Sequence, residues 1–396
     1  MVRRPEWSAA PVTLDFDEGD ELRALRAAVA ELGARYGQDY FLEQARAGGR
    51  TDALWAEAGK AGFLGVNLPE EYGGGGGGLV ELSAVLEELG AAGCPLLMMV
   101  VSPAICGTVI SRFGTPAQQE RWLPGLADGS RTMAFAITEP DAGSNSHRIS
   151  TVARPDGEGW VLSGRKVWIS GVDLADAVLV VGRLAESTSG TLRPALFVVP
   201  AGTPGLEARP IPMEIVSPER QFSVFLDDVR LPADALVGHP DQGIAQLFAG
   251  LNPERVMAAA YSLGVARLAM RKATAYARER TVWDRPIGAH QGLAHPLAAC
   301  QVEIELARLM TQKAAWLIDA GRDAGTAANS AKYAAAEAAA RTVDQAIQTH
   351  GGNGLSQEYG VAALLAMSRV SRIAPVSREM VLSFIAQHDL RLPRSY

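Results

Sequence analysis

The sequence predicts an α+β chain in three consecutive parts: an N-terminal helical domain, a middle antiparallel, barrel-like β domain and a C-terminal four-helix bundle. Three observations predict it. In the first third, apolar residues recur at three-and-four spacing, as at Leu22, Leu25, Val29 and Leu32. After about Arg131 the texture changes to short β-branched and aromatic runs separated by turns. From about Gly243 helical patterning returns in alanine-rich segments whose length suits an antiparallel bundle. The expected domain limits are 1–130, 131–242 and 243–396, because 396 residues exceed what one simple core accommodates.

Taken in order, the first helix is expected from Asp20 to Gly37, followed by helices in "DALWAEAGKAGF", "VELSAVLEELGAAG" and "PAQQERWLPGLADG". Thr115 and Pro116 open the last of these as cap and first residue. The glycines at 73–78 satisfy G-x-G-x-x-G trivially. No strand leads into them and no Lys-Ser/Thr follows, so they predict a flexible surface loop rather than a phosphate cradle. Residues 89–111 carry no charge and are long enough to span a bilayer, yet Pro95, Ser102 and Pro103 would leave backbone groups unsatisfied in lipid. That segment predicts a buried helix interrupted by a loop, with no membrane insertion.

The β part is expected in "TMAFAIT", "GWVLSG", "KVWIS", "AVLVVGRL", "ALFVVP" and "FSVFLDDVRL". Four long helices follow near 253–278, 291–320, 326–349 and 358–390. Asn252 reads as the N-cap of the first and Pro253 as its first residue, which puts Glu254 in the first turn, where the helix dipole favours an anion.

Composition excludes several function classes. The 37 basic and 44 acidic residues give a net charge of -7, with no general attraction for nucleic acid or an anionic membrane. Cys94, Cys106 and Cys300, with six scattered histidines, form neither a disulfide framework nor a metal-ligand set. No metal is expected. The first residues, "MVRRPEWSAAPV", lack an apolar core of signal-peptide length, so a cytoplasmic location is expected.

Two stretches carry candidate chemistry. "AFAITEPDAGSN", 134–145, joins a strand to a turn rich in exposed N–H groups and hydroxyls, compatible with anion binding or with an ordinary strand exit. In "GRKVWISG", Trp168 offers a flat face and Ser170 a hydroxyl on the same side of a strand, compatible with an isoalloxazine ring or with plain core packing.

With these stand "LPEEYGG" at 68–74, "ITEPDAGS" at 137–144, "GRKVWIS" at 164–170, "LDDVRLPADALVG" at 226–238, "RERTVWDRPIGAHQ" at 278–291 and "QTHGGNGLSQEYG" at 348–360. In this order the chain resembles the acyl-CoA dehydrogenase family of flavoproteins over nearly its whole length. The resemblance implies a homotetramer, a dimer of dimers, with FAD extended between subunits. Phe135, Ile137 and Thr138 would line the flavin, Gly143 and Ser144 would meet the pyrophosphate, and Trp168 with Ser170 would cover the ring. Arg280, Trp283, Ile287, Gln291, Gln348 and Gly352 would reach across from a neighbouring subunit, and Ser377 and Glu379 occupy further flavin-contacting positions. In "RERTVWDRPIGAHQ", Val282 and Asp284 depart from the Thr and Gly often found beside the aromatic residue.

The implied reaction removes a proton from the α-carbon of an acyl-CoA thioester while a hydride leaves the β-carbon, with electron-transfer flavoprotein as acceptor. It needs a carboxylate base and donors to the thioester carbonyl. Many members carry the base near the C-terminus, where this chain has Pro375; an Arg-Asp pair usual before it is Ala366-Met367. A second branch, resembling isovaleryl- and long-chain acyl-CoA dehydrogenases, carries the base in a Glu-Arg pair, here Glu254-Arg255. Glu254 is thus the expected base and Glu379 a fallback. Pro375 lacks the backbone N–H that serves as one carbonyl donor in the family. An oxidase or biosynthetic desaturase on the same scaffold, and a non-catalytic subunit of a mixed tetramer, are the alternatives.

Overall fold

Asp319, far along the chain, caps a helix that the sequence places near the beginning. In the computed structural model, which describes residues 18–185 and 193–394, its carboxylate accepts the Leu79 and Val80 N–H groups at 2.8 and 3.0 Å. The stretch read for a targeting signal lies outside the described residues. The helix so capped is α3 (Leu79–Ala92), preceded by α1 (Asp20–Arg46) and α2 (Asp52–Lys60). A π-helical turn, Val100–Gly107, runs into α4 (Thr108–Phe113), and α5 is Pro116–Asp128. Thr115 caps α5 as expected: its hydroxyl accepts the Gln118 N–H at 3.3 Å, and Gln118 accepts the Thr115 N–H at 2.9 Å. α1 continues beyond its expected end at Gly37, which absorbs a kink at φ 72.

The uncharged segment 89–111 is almost wholly buried in protein, and no described helix is long and apolar enough to cross a membrane. The glycine run corrects an expectation. It is not a free loop: Gly74, Gly75, Gly76 and Gly77 donate to the carbonyls of Pro69, Gly65, Leu68 and Val66 at 2.9–3.1 Å. Glycine is required at Gly74, where a Cβ would stand 2.2 Å from the Leu68 carbonyl oxygen.

The β part holds β1 (Met133–Ala136), β2 (Val152–Asp156), β3 (Gly159–Ser170), β4 (Ala177–Leu184), β5 (Pro194–Pro200), β6 (Leu206–Ile211) and β7 (Gln221–Leu231). Two expected runs merge into β3. β2 and β6 escaped the pattern because each carries charge and a proline. The sheet order is β1-β4-β2-β3-β7-β6, with β5 also on β4. β1–β4 and β2–β4 pair in parallel, which corrects the purely antiparallel expectation. Side-chain alternation splits the core: Met133, Phe135, Leu179 and Leu196 pack with Ile105, Val109, Leu123 and Leu247 from the helices, whereas Ala134, Val178 and Phe197 pack with Val224 and Val229.

The C-terminal part comprises α6 (Gly243–Glu279), a hairpin of β8 (Thr281–Val282) and β9 (Arg285–Pro286), α7 (Gln291–Asp319), α8 (Gly325–His350), α9 (Ala363–Ile373) and α10 (Arg378–His388). The expected fourth helix is therefore two, broken around Ala374-Pro375, where proline disfavours helix at the residue before it. α6 begins at Gly243, well before Pro253, so Asn252 and Pro253 are interior and neither caps nor opens the helix. Burial of Leu247, Val256 and Met257 on the two sides of the proline outweighs its helix-breaking tendency. Small residues let the helices approach closely: a Cβ on Gly264 of α6 would stand 2.8 Å from the Gly90 Cα of α3.

Candidate active site

The exit of β1 is tied to the middle of β3. The Val167 N–H donates to the Thr138 carbonyl at 3.0 Å, and the Lys166 ammonium donates to the Ile137 carbonyl and to Glu139 Oε1, both at 2.9 Å. Glu139 further accepts from the Ser150 hydroxyl and the Thr151 N–H at 2.7 and 2.9 Å. Burial pushes this carboxyl up, but Lys166 and the hydrogen bonds outweigh it and hold it down at about 2. Burial pulls the Lys166 ammonium down to about 8 against the attraction of Glu139. The pair thus stays ionised at neutral pH.

This clamp positions the next residues of β3. One extra residue on β3 between Lys166 and Ile169 makes a bulge opposite β7, and Trp168 within it takes φ 60. Its side chain is 55% exposed, which sets aside the core-packing reading. Ser170 pairs with Gln221, whose amide donates to its hydroxyl at 2.9 Å. Phe135, Ile137 and Thr138 at the exit of β1 and Trp168 and Ser170 on β3 therefore lie on the two segments that these bonds tie together. Gly143 and Ser144 lie exposed on the loop beyond it, and Gly143 has no atom within 4 Å of where a Cβ would stand.

A second group gathers at the far end of the helical part. The Ile287 N–H donates to the Arg280 carbonyl at 2.8 Å, closing the hairpin whose turn, Trp283-Asp284, has φ 50 and 62. Trp283 is 84% exposed, and Gln291 is the exposed first residue of α7. Tyr276 stacks on His350 with ring centroids 4.4 Å apart, which fixes the end of α6, with Arg280, against the end of α8, with Gln348 and Gly352. Among the described residues no hydrogen bond or ion pair links this group to those segments of β1 and β3. Ser377 caps α10, its hydroxyl accepting the Met380 N–H at 3.3 Å. Glu379 is exposed; a hydrogen bond from its own backbone N–H and its pairing with Arg378 at 3.0 Å lower its pKa, which does not suit a base acting near neutrality.

Glu254 differs. With α6 starting at Gly243, the first-turn reading of this residue falls. Its carboxylate has no hydrogen-bond or ion-pair partner among the described residues, and it retains part of its surface on an otherwise closely packed stretch of helix. Burial pushes it up to about 7, against the opposing fields of Arg255 and Lys332. Arg255 donates to the Leu251 carbonyl at 3.0 Å and to Asn252 Oδ1 at 3.1 Å. Lys332, fully buried on α8, donates to the Val376 carbonyl and so holds the turn after Pro375 beside this centre. Sequence reasoning singled out neither Lys166 nor Lys332; Lys332 stands in an alanine-rich stretch of helix, which is a signal of a buried cation, whereas Lys166 directly follows Arg165 and carries none.

Comparison with known proteins assigns the family. Models described as the N-terminal, middle and C-terminal domains of acyl-CoA dehydrogenase match residues 19–130, 134–229 and 241–390. Acyl-CoA dehydrogenase FadE12 of Mycobacterium tuberculosis is 66% identical over 383 residues, covering 96% of this chain and 99% of that protein. The structure of butyryl-CoA dehydrogenase from Megasphaera elsdenii superposes with a TM-score of 0.91 at 27% identity, covering 96% of this chain and 100% of the other. A glutaryl-CoA dehydrogenase from Mycobacterium smegmatis, solved in complex with FADH2, gives 0.88 at 27% identity, covering 96% of each. On the fold, the motifs and these matches together, the chain belongs to the acyl-CoA dehydrogenase family of oxidoreductases.

Proposed function

We propose that this protein catalyses α,β-dehydrogenation of an acyl-CoA thioester with FAD as cofactor, Glu254 taking the α-proton. The observation that carries the proposal is the partnerless, largely buried carboxylate of Glu254, whose pKa of about 7 matches a general base at neutral pH.

The residues present fit a flavin. An exposed indole on a strained bulge, a polar loop with an open glycine, and a buried ion pair that fixes both are suited to a flat ring carrying a pyrophosphate. Phe135, Ile137, Thr138, Trp168 and Ser170 would hold the ring, with Gly143 and Ser144 toward the pyrophosphate. Arg280, Trp283, Ile287, Gln291, Gln348 and Gly352 of a second subunit would complete the site, with Ser377 and Glu379 at its margin. When bound, the flavin supplies the two-electron acceptor for the hydride leaving the β-carbon.

The chain's own residues do the rest. Ionised Glu254 takes the α-proton. Arg255 and Lys332 supply positive charge that keeps part of its population ionised near pH 7. Pro375 donates no hydrogen bond to a thioester carbonyl, so the fixed cations carry more of the electrostatic burden. Exposed Val302, Leu306, Leu309 and Trp316 recur on one face of α7, which supports assembly with further copies, a homotetramer. Electron-transfer flavoprotein is the proposed acceptor. The test is anaerobic mixing of the FAD-loaded protein with acyl-CoA esters. Wild type is expected to bleach the flavin, and Glu254→Gln to retain flavin without bleaching; equal bleaching by both would remove Glu254 from the mechanism.

A further inference from the structure

We infer that Glu219 is a positioning residue for the flavin: its buried carboxylate fixes the loop 217–221, and through that loop the far end of the bulge that carries Trp168. The inference rests on the reading of Trp168 and Ser170 as residues that hold the ring, and it adds the group that keeps them in place.

The bulge needs an anchor on each side, because Trp168 at φ 60 occupies a backbone region that a bulky side chain keeps only when its neighbours impose it. On the Lys166 side the anchor is the ion pair with Glu139. On the Ser170 side the consecutive residues Glu219, Arg220 and Gln221 act together. The Arg220 carbonyl accepts the Gly171 N–H, and the Gln221 amide donates to the Ser170 hydroxyl, both at 2.9 Å. Their loop is itself held by Glu219, which is 4% exposed. Its Oε1 accepts the Leu97 N–H and its Oε2 accepts the Ser217 hydroxyl, both at 2.9 Å.

The segment that Glu219 grips also touches the bulge directly. The Leu96 and Leu97 carbonyls accept the Met99 and Val100 N–H groups, so the Leu97 N–H stands at the start of a helical run, where a donor has no partner within the helix. Glu219 caps that start from the other side of the fold. The next residue, Met98, is 2% exposed and packs against Gly171, whose φ of 62 and missing Cβ leave room for the methionine sulfur. Gly171 therefore rests on two supports, the Met98 side chain and the Arg220 carbonyl, and one carboxylate ties both together. With one oxygen on the helix start and the other on its own loop, Glu219 makes Leu97–Met98, residues 217–221 and the end of the bulge a single unit. Removing the carboxylate releases the two supports from each other, and Ser170 and Trp168 lie within three residues of the point they hold. A binding constellation tolerates displacements of only about 0.5 Å.

The test compares FAD-loaded wild type, Glu219→Gln, Glu219→Ala and Ser217→Ala by the dissociation constant for FAD and the absorption spectrum of the bound flavin, with thermal unfolding followed alongside. Glu219→Ala is expected to weaken FAD binding about tenfold, because the bulge then holds its competent shape only part of the time, and to alter the flavin spectrum. Glu219→Gln keeps an acceptor for the Leu97 N–H and should stay within about twofold of wild type. Ser217→Ala removes one of the bonds and leaves the carboxylate, so it should weaken binding about threefold. Lower thermal stability of Glu219→Ala with wild-type FAD affinity and spectrum overturns the inference, and so does equal weakening by Gln and Ala. Should Glu219→Ala fail to fold, Ser217→Ala decides, and wild-type affinity and spectrum in that variant overturn the inference alone. Wild-type protein that binds no FAD overturns the flavin reading with it.

Discussion

Lys166 and Glu139 meet at 2.9 Å with side chains 0% and 3% exposed, and through them the exit of β1 and the bulge of β3 become one rigid corner. Breaking such a pair from one side leaves an uncompensated charge in the interior. Lys166→Met is therefore expected to destabilise the protein by about 3–5 kcal/mol, because Glu139 keeps its hydrogen bonds but loses its counter-charge. Lys166→Met combined with Glu139→Gln should recover a substantial part of that loss. Urea denaturation of the four proteins of this cycle checks it, and additive losses would mean that the two groups do not act as a pair.

Glu254 sets the pH dependence of catalysis. The base acts when ionised and its pKa is raised to about 7, so kcat/KM should rise with pH through about 7 and level off above it. The charged groups acting on it are Arg255 from its own helix and Lys332 from α8. Lys332→Met removes a favourable field and should move the rise to higher pH, and Lys332→Arg should restore it. A profile unmoved by Lys332→Met would assign that residue to packing alone.

The same carboxylate weighs on stability in the opposite sense. Its folded pKa lies above the ordinary value of 4.5, so protonation favours the folded state. The stability it contributes is fully present below about pH 4.5 and is lost as pH rises through about 7. Glu254→Gln, which mimics the protonated form at every pH, is thus expected to be more stable than wild type at pH 8 by about 1–3 kcal/mol, with the gap closing toward pH 4.5. Thermal melts of both proteins across this range test the sign, and a constant gap would separate the effect from titration.

These expectations rest unevenly on the sequence. Helical and β parts were legible because periodicity survives at every scale, and Thr115–Gln118 shows a local signal translated directly into a cap. The start of α6 was not legible: Asn252-Pro253 is a strong local signal for a helix start, and long-range burial on both sides overrode it. The glycine run looked mobile because its partners, the carbonyls of residues 65–69, are fixed by the turn before it rather than by any pattern within it. The long-range pairs at the candidate site, Lys166 with Glu139 and Lys332 with Val376, link positions that no periodicity relates.

The glycine run itself gives a clean contrast between two adjacent residues. Gly73 ends a short turn with φ 82, and a Cβ there would meet nothing within 4 Å, so Gly73→Ala pays only for the left-handed backbone, about 1 kcal/mol. At Gly74 the backbone conformation is ordinary, but a Cβ would stand 2.2 Å from the Leu68 carbonyl oxygen and 2.4 Å from its carbon. Main-chain atoms cannot swing aside, so the loop must lift and surrender hydrogen bonds such as Gly74 N–H to Pro69 and Gly75 N–H to Gly65. Gly74→Ala is therefore expected to lose about 2–4 kcal/mol, clearly more than Gly73→Ala. Urea denaturation of the two variants checks the order. Equal losses would show that the run tolerates displacement and that its glycines serve backbone conformation alone.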